Sequence, residues 1–315
     1  MAAKKLINTV SLEGLLYEHN IELKVSGENS KNPGTEYLAG TISIATDGAE
    51  CLNVVPVHFS YVTEKTSTGK ENRSYKILKD IYEGVIGTVM ANGKENAGKL
   101  HVDTAIDLNE FYSERDGKEE LVSAKRLEGG FVSKVPEISG DITKRNQFKV
   151  DMLITNVARV EANEERSIPE YAKVGGYIFN FRREALPVTF SATNPAAMDY
   201  FEGLNASGKT PVFTQVWGSQ LSQTIVIKNV TESAFGESRV EETTRSRKDY
   251  IITGAANETY TWDDEDTLTA KEVSEMMAAR EIKLATIKKN RDDYKATKNS
   301  AIKTVPTVAT GDYNF

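Results

Sequence analysis

Val55-Pro56-Val57-His58-Phe59-Ser60 and Leu186-Pro187-Val188-Thr189-Phe190-Ser191 share one pattern, an aliphatic residue followed by Pro-Val-x-Phe-Ser. Apolar side chains at every second position mark both as strands with one face inward. Upstream of each lies a glycine-led strand, Gly40-Thr41-Ile42 and Gly176-Tyr177-Ile178. Downstream lies a short helical piece with an aromatic-Glu-Gly ending, Tyr82-Glu83-Gly84 and Phe201-Glu202-Gly203. A Gly-Lys pair then precedes a new strand in each half, Gly98-Lys99 and Gly208-Lys209, and each half opens on a long strand, Val10 to Val25 and Phe148 to Val160. The same order in both halves indicates a duplication.

Each half reads long strand, strand, strand, short helix, strand, strand, which is the order of the OB-fold and is shared by other small barrels and sandwiches. The fold expected is mainly β, with two tandem OB-like barrels over residues 8–140 and 146–255. In the first, Lys99 to Leu108 and Leu121 to Val132 supply the last two strands. In the second, Thr210 to Trp217 and Ser222 to Val230 read as separate strands, with Arg247 to Thr253 a further run able to close that sheet. Beyond Ala256 the character changes, and residues 256–298 read as an acidic linker (Asp263, Asp264, Glu265, Asp266) and an amphipathic helix. Thr269 and Glu272 have capping-box spacing at its start. Residues 299–315 read as a disordered tail.

The 315 residues carry a formal net charge of −7, which argues against coating duplex DNA by bulk positive charge but leaves local basic clusters free to bind nucleic acid. No apolar run approaches the roughly 18 to 20 residues of a spanning helix, and the lysines near the N-terminus lead into no signal-like stretch. A cytoplasmic protein without membrane contact is expected. A single cysteine, Cys51, and three scattered histidines supply neither an internal disulfide nor a zinc site, and no cofactor is expected. Catalytic signatures are absent, so no enzyme is expected: there is no G-x-S-x-G elbow, H-E-x-x-H or kinase set. Thr68-Gly69-Lys70-Glu71 lacks the first glycine and the Ser or Thr of a phosphate loop and reads as a basic hairpin tip. His58 has no evident acid–base partner.

The aromatic pattern is more informative. Tyr177, Phe179 and Phe181 alternate with Ile178, Asn180 and Arg182, so the three rings share one strand face. Aligning the halves on Gly40 and Gly176 matches Ile42 with Ile178, making the isoleucine face the core and the ring face an outer platform beside Lys173, Arg182 and Arg183. A one-residue slip in register would instead turn the rings inward. Tyr61 begins a polar loop carrying Lys65, Lys70 and Arg73, and Phe213 and Trp217 share a face of a later strand near Lys209. Arg245, Arg247 and Lys248 form a basic patch that reads either as an extension of the groove or as a solvated hairpin.

With its duplicated strand order, Pro-Val-x-Phe-Ser repeat and aromatic strand, the chain resembles the single-stranded DNA-binding proteins, particularly those of phages and prophages. The end, Asp312-Tyr313-Asn314-Phe315, looks like a reduced form of the acidic, phenylalanine-ending tip through which bacterial members dock on replication and recombination enzymes. It has one acid and no acidic run before it. The resemblance implies a sequence-tolerant coat for single-stranded DNA. Phosphates would track along Lys65, Lys70, Arg73, Lys173, Arg182, Arg183 and Lys209, and bases would stack on Tyr61, Tyr177, Phe179, Phe181 and Trp217. Partner enzymes would meet Asp312, Tyr313 and Phe315. A β-rich virion or scaffold protein, using the same rings as a protein interface, is the alternative. The sequence leaves open oligomeric state and the choice between DNA and RNA.

Overall fold

The computed structural model describes residues 6–48, 50–163, 169–231, 235, 239–261 and 268–302, of which 224–231, 239–246 and 298–302 are described by their backbone alone. The chain runs β1 (Asn8–His19), β2 (Glu22–Val25), β3 (Glu36–Ala45), β4 (Val54–Val62), α1 (Arg73–Tyr82), α2 (Val89–Asn92), β5 (Lys99–Arg115) and β6 (Lys118–Lys134). It continues with α3 (Ile142–Arg145), β7 (Asn146–Val160), β8 (Tyr171–Phe179), β9 (Ala185–Ala192), α4 (Pro195–Gly203), β10 (Val212–Thr231), β11 (Arg239–Ala255) and α5 (Ala270–Ile302).

The pairing follows one scheme twice. In the first unit β1 pairs with β3, β3 with β4, β4 with β6, β6 with β5 and β5 with β1, all antiparallel except the β4–β6 seam Val57↔Leu127, His58↔Glu128. In the second, β7 pairs with β8, β8 with β9, β9 with β11, β11 with β10 and β10 with β7, again with one short parallel seam, Ile251↔Ser191 and Ile252↔Ala192. Leaving aside the short β2, helices α1 and α4 fall between the third and fourth strands of this scheme, after β4 in the first unit and after β9 in the second. This is the OB-like strand order. The units join edge to edge through β1 and β7, antiparallel from Asn8↔Val150 to Leu12↔Asn146, which among the described residues makes one sheet of 11 strands.

The repeated hexapeptides build the inside of both units. Val55, Val57 and Phe59, with Leu186, Val188 and Phe190, are buried in a shared apolar core with Ile42, Ile44, Ile178 and Phe148. Burial of a phenylalanine side chain is worth about 1.5 to 3 kcal/mol, so these inward positions carry much of the fold. Pairing also corrects the alignment of the halves. Phe59 faces Gly40 while Phe190 faces Val174, so the matching glycines are offset by two residues along the repeat. An offset of two is a full strand period and leaves every side chain on its expected face.

Several boundaries differ from expectation. The stretch Val10 to Val25 is broken after His19, where Asn20 bonds Thr41 (Asn20 N–H to Thr41 O 3.0 Å), and resumes as β2. Thr210 to Trp217 and Ser222 to Val230 are one strand, β10, and the fifth strand of the second unit is β11, which contains Arg247 to Thr253. Continuity comes from a bulge at Trp217/Gly218, where Gly218 packs so closely on Ile251 that no Cβ fits. Hairpins β5–β6 and β10–β11 are longer than expected because each reaches over the other unit. Lys125 of β6 donates to the Thr189 carbonyl (2.5 Å), and Asn53, before β4, accepts from the Ser222 N–H of β10 (2.7 Å). The capping box forms as expected, Thr269 N–H to Glu272 Oε2 3.0 Å and Glu272 N–H to Thr269 Oγ1 3.1 Å. α5 runs on through Ile302, so residues 299–302 are helix rather than tail. Asp263 to Asp266 and the tip residues Asp312, Tyr313 and Phe315 lie outside the described residues.

Candidate nucleic-acid interface

Strand alternation in β3 and β4 turns Tyr37, Thr41, Ser43, Pro56 and His58 away from the core, and a shift of register between Leu38 and Gly40 brings out Tyr61. Tyr61 is 47% exposed, and its ring lies 4.4 Å from that of Tyr37 at 37°. Its hydroxyl sits 3.3 Å from Ser26 Oγ, which fixes the ring at the wall of a cleft of about 670 Å³ lined also by Thr35, Lys65, Thr66 and Tyr75. The loop beyond turns at Gly69 (φ 79°), with Gly69 N–H to Thr66 O and Thr66 N–H to Lys70 O both 2.8 Å. That is a hairpin tip and not a phosphate loop. Asn72 caps α1 through Ser74 N–H (3.1 Å) and sets Arg73 at the exposed first turn. Lys65, Lys70 and Arg73 are exposed and form no salt bridge among the described residues. Among the described residues His58 Nδ1 meets only the Thr41 hydroxyl (3.3 Å).

In the second unit Ile178 is in the core, and Tyr177 and Phe179 lie on the opposite face of β8. The expected phase therefore holds, but the expected exposure does not. Phe179 is 1% exposed, buried with Leu153, Ala185, Phe213, Leu268 and Met276 in a second apolar cluster beneath α5, against which Tyr177 is partly packed. Phe179 is not an open platform in this arrangement, because α5 covers it. Phe181 lies past the end of β8, 86% exposed, with the Arg182 guanidinium 5.2 Å from its ring centre. Asn180 shapes this turn by accepting from the N–H groups of Arg182 and Glu184, each at 3.0 Å. Arg183, expected to meet phosphate, is held by Glu272 at 2.8 Å.

Lys173 stands exposed on β8, and Lys209 stands exposed just before β10. Trp217 lies elsewhere: it packs over Gly254 of β11, with β7 between its strand and β8 and β11 between its strand and β9; on β7 Asp151 accepts from Gln215 Nε2 (3.0 Å) and the Tyr260 hydroxyl (3.1 Å). Burial, and next the charge of Asp151, push the Tyr260 phenol up to about 12. Trp217 is thus not brought together with Tyr177 and Phe181.

The two units face one another reciprocally. A groove of about 500 Å³ runs over Gly175, Gly176, Tyr177, Pro187 and Thr189 and is walled by Ser123 and Lys125 from the first unit's hairpin. Gly176 lets β8 pass close to β7, since a Cβ there would strike the Leu153 carbonyl. Burial pushes the Lys125 ammonium below the ordinary lysine value, opposed by Asp249, and its Nζ lies 5.2 Å from the Tyr250 ring centre. A matching groove of about 400 Å³ lies over Tyr17, Ser43 and Pro56 of the first unit and is walled by Gln223 and Lys248 from the second unit's hairpin. Lys248 therefore extends a groove. Arg247 is exposed beside it, and the Arg245 side chain lies outside the described residues.

Sequence reasoning missed Tyr37, Lys125 and Phe131. Tyr37 was legible in principle, because pairing its strand as a hairpin with Tyr61's brings the rings together. Phe131, 78% exposed, follows Gly129 and Gly130 (φ 63° and 119°), and a glycine pair inside a strand signals a bulge that re-aims the next side chain. Lys125 had no local signal, since its partners are 64 and 125 positions away in the chain. Among the described residues no group of His, Cys, Asp and Glu is placed to hold a metal ion, and no helix is long and apolar enough to cross a membrane.

Comparison with known proteins adds a family. A family model described as YorF matches residues 6–290. No curated protein sequence matches. Among solved structures, the chain is similar to the wild-type single-stranded DNA-binding protein of Thermus aquaticus, with a TM-score of 0.45 and 10% identity over 82% of this chain and 95% of that one. A deletion mutant of the same Thermus aquaticus protein aligns with a TM-score of 0.45 and 12% identity over 84% of this chain and 100% of that one.

Proposed function

We infer that this chain, which belongs to the YorF family, binds single-stranded DNA without reading its sequence. The observation that carries the reading is that each OB-like unit leaves a ring open beside exposed cations that form no salt bridge among the described residues, at the rim of β3 and β4 or of β8 and β9: Tyr61 with Lys65, Lys70 and Arg73, and Phe181 with Arg182. OB-fold units bind oligonucleotides on that face. Open rings accept any base, each stacked base contributing about 1 to 3 kcal/mol, whereas the bases of a duplex are already stacked on one another. Lys173 and Lys209 continue the phosphate path along the second unit, and Lys125 and Lys248 supply charge inside the two grooves. The role follows as protection of single strands during replication or recombination, with Asp312, Tyr313 and Phe315 as the segment that meets partner enzymes.

The test is a double variant, Tyr61→Ala with Phe181→Ala, titrated against a labelled mixed-sequence single strand. The reading predicts a loss of affinity that is the same for every sequence and leaves the salt dependence unchanged. An unchanged affinity would sink it.

A further inference from the structure

Phe179 is the unusual ring of the set. It sits on the same outer face of β8 as Tyr177, which lines the second unit's groove, yet the groove stops where α5 begins to cover that face. The cover is thin. Leu268, Val273, Met276 and Met277 supply its apolar part, and among the described side chains of α5 only Met276 and Arg280 are buried.

The rest of the attachment is ionic. Glu272 holds Arg183 (2.8 Å), Arg280 and Lys283 meet Glu110 and Glu184 (2.5 and 3.2 Å), and farther along Arg291 and Lys295 meet Glu119 (3.2 and 3.3 Å). Glu110 and Glu119 belong to the first unit's hairpin, so α5 ties that hairpin to the turn after β8. The inner pairs are shielded only while the helix is in place. Desolvation offsets most of their attraction, and departure returns both partners to water. The more exposed pairs, Arg183–Glu272 and Lys295–Glu119, are weaker and screened by salt, whereas Arg291–Glu119 is largely shielded. A fastening of this kind is stable but exchangeable, and its helix cations face carboxylates spread over the β5–β6 hairpin (Glu110, Glu119) and the turn after β8 (Glu184), anionic partners that phosphates can replace.

We propose that α5 is a displaceable strap: single-stranded DNA entering the second unit's groove lifts it, uncovering Phe179 as a further stacking ring and freeing Arg183 for phosphate. This rests on the single-stranded DNA reading above and specifies how that site is regulated. In the resting chain the strap hides the face, and in the bound chain its cations exchange carboxylates for phosphates.

The experiment combines hydrogen exchange on the full chain, with and without an oligothymidine, and affinities of Met276→Ser alone and with Phe179→Ala. The strap predicts that backbone amides of α5 lose protection when the oligonucleotide binds. Met276→Ser should bind about tenfold tighter, the gain one newly open ring supplies, and adding Phe179→Ala should abolish that gain. Binding by the wild-type chain with α5 protection unchanged or raised, or a Met276→Ser variant of unchanged affinity, overturns the strap and leaves the binding reading intact. Failure of both the folded wild-type chain and Met276→Ser to bind overturns the binding reading and the strap with it.

Discussion

The outer faces of the two units differ far more than their insides. Inward, Val55, Val57 and Phe59 correspond to Leu186, Val188 and Phe190, all buried in the shared core. Outward, Ser43 faces Pro56 in the first unit where Tyr177 faces Pro187 in the second, and Thr41 faces His58 where Gly175 faces Thr189. The first unit's face is small, polar and open, with its rings gathered at one end in the Tyr37–Tyr61 pair. The second unit's face is aromatic and partly covered by α5. Close packing resists any change of volume inside, so the core keeps the repeat. The outer faces carry no such constraint, and there the two units differ: no described helix covers the Tyr37–Tyr61 pair, whereas α5 covers part of the second face.

That contrast can be broken first at its constant part. Phe190→Ala should cost about 3 to 5 kcal/mol by urea denaturation, at the upper end because Phe148 and Tyr250 also rest on that ring (5.2 and 5.4 Å), with Phe59→Ala in the same range but lower. Equal and small losses would mean that the repeat does not build the core. The open rings come next. Tyr61→Ala and Phe181→Ala should each weaken single-strand binding by about 5- to 150-fold. Phe179→Ala in the otherwise wild-type chain should lower stability more than affinity, and an affinity loss as large as that of Phe181→Ala would show that the second face is open at rest.

Charge is a smaller lever. Lys65→Ala should lower the slope of log K against log salt by about 1 and weaken binding alike on all sequences. The smallest effect concerns pH. Glu184 is desolvated, which alone would raise its pKa, yet hydrogen bonds from Asn180 and Lys283 hold it below the ordinary carboxylate value. Glu272 is held low by the Thr269 N–H, against some desolvation, and by Arg183. Folded values below the unfolded ones give a stabilisation that is complete above the ordinary range near pH 4.3 and is lost as pH falls through the depressed values. The thermal midpoint should therefore drop on acidification below about pH 4, and Glu272→Gln should flatten that drop. A profile identical to wild type would leave Glu272 without a role in seating α5.

Much of this architecture was legible because a duplicated chain states its strand order twice. The hexapeptide repeat identified the third strand of each unit, and Thr269 with Glu272 marked the start of α5. The inward isoleucines fixed the phase of β8. What local pattern could not show was which outer face a distant segment covers. Phe179 reads like Phe181 in sequence, and only the return of α5 after some ninety positions separates a buried ring from an open one. The hairpins were misjudged for the same reason. The reach of β5–β6 and the continuity of β10 through Gly218 answer to the neighbouring unit, and period-two alternation carries no signal of a neighbour. Trp217 was grouped by proximity to Lys209 in sequence, whereas the width of the sheet places it on the β10–β11 side.

The central claim is tested most directly by fluorescence anisotropy of a labelled mixed-sequence oligonucleotide, single-stranded and then duplex, titrated with the full chain at two salt concentrations. The account predicts binding to the single strand that weakens steeply with salt, and little binding to the duplex. No binding to the single strand at low salt, or equal binding to both forms, would contradict it and return the open rings Tyr61 and Phe181 to a protein interface.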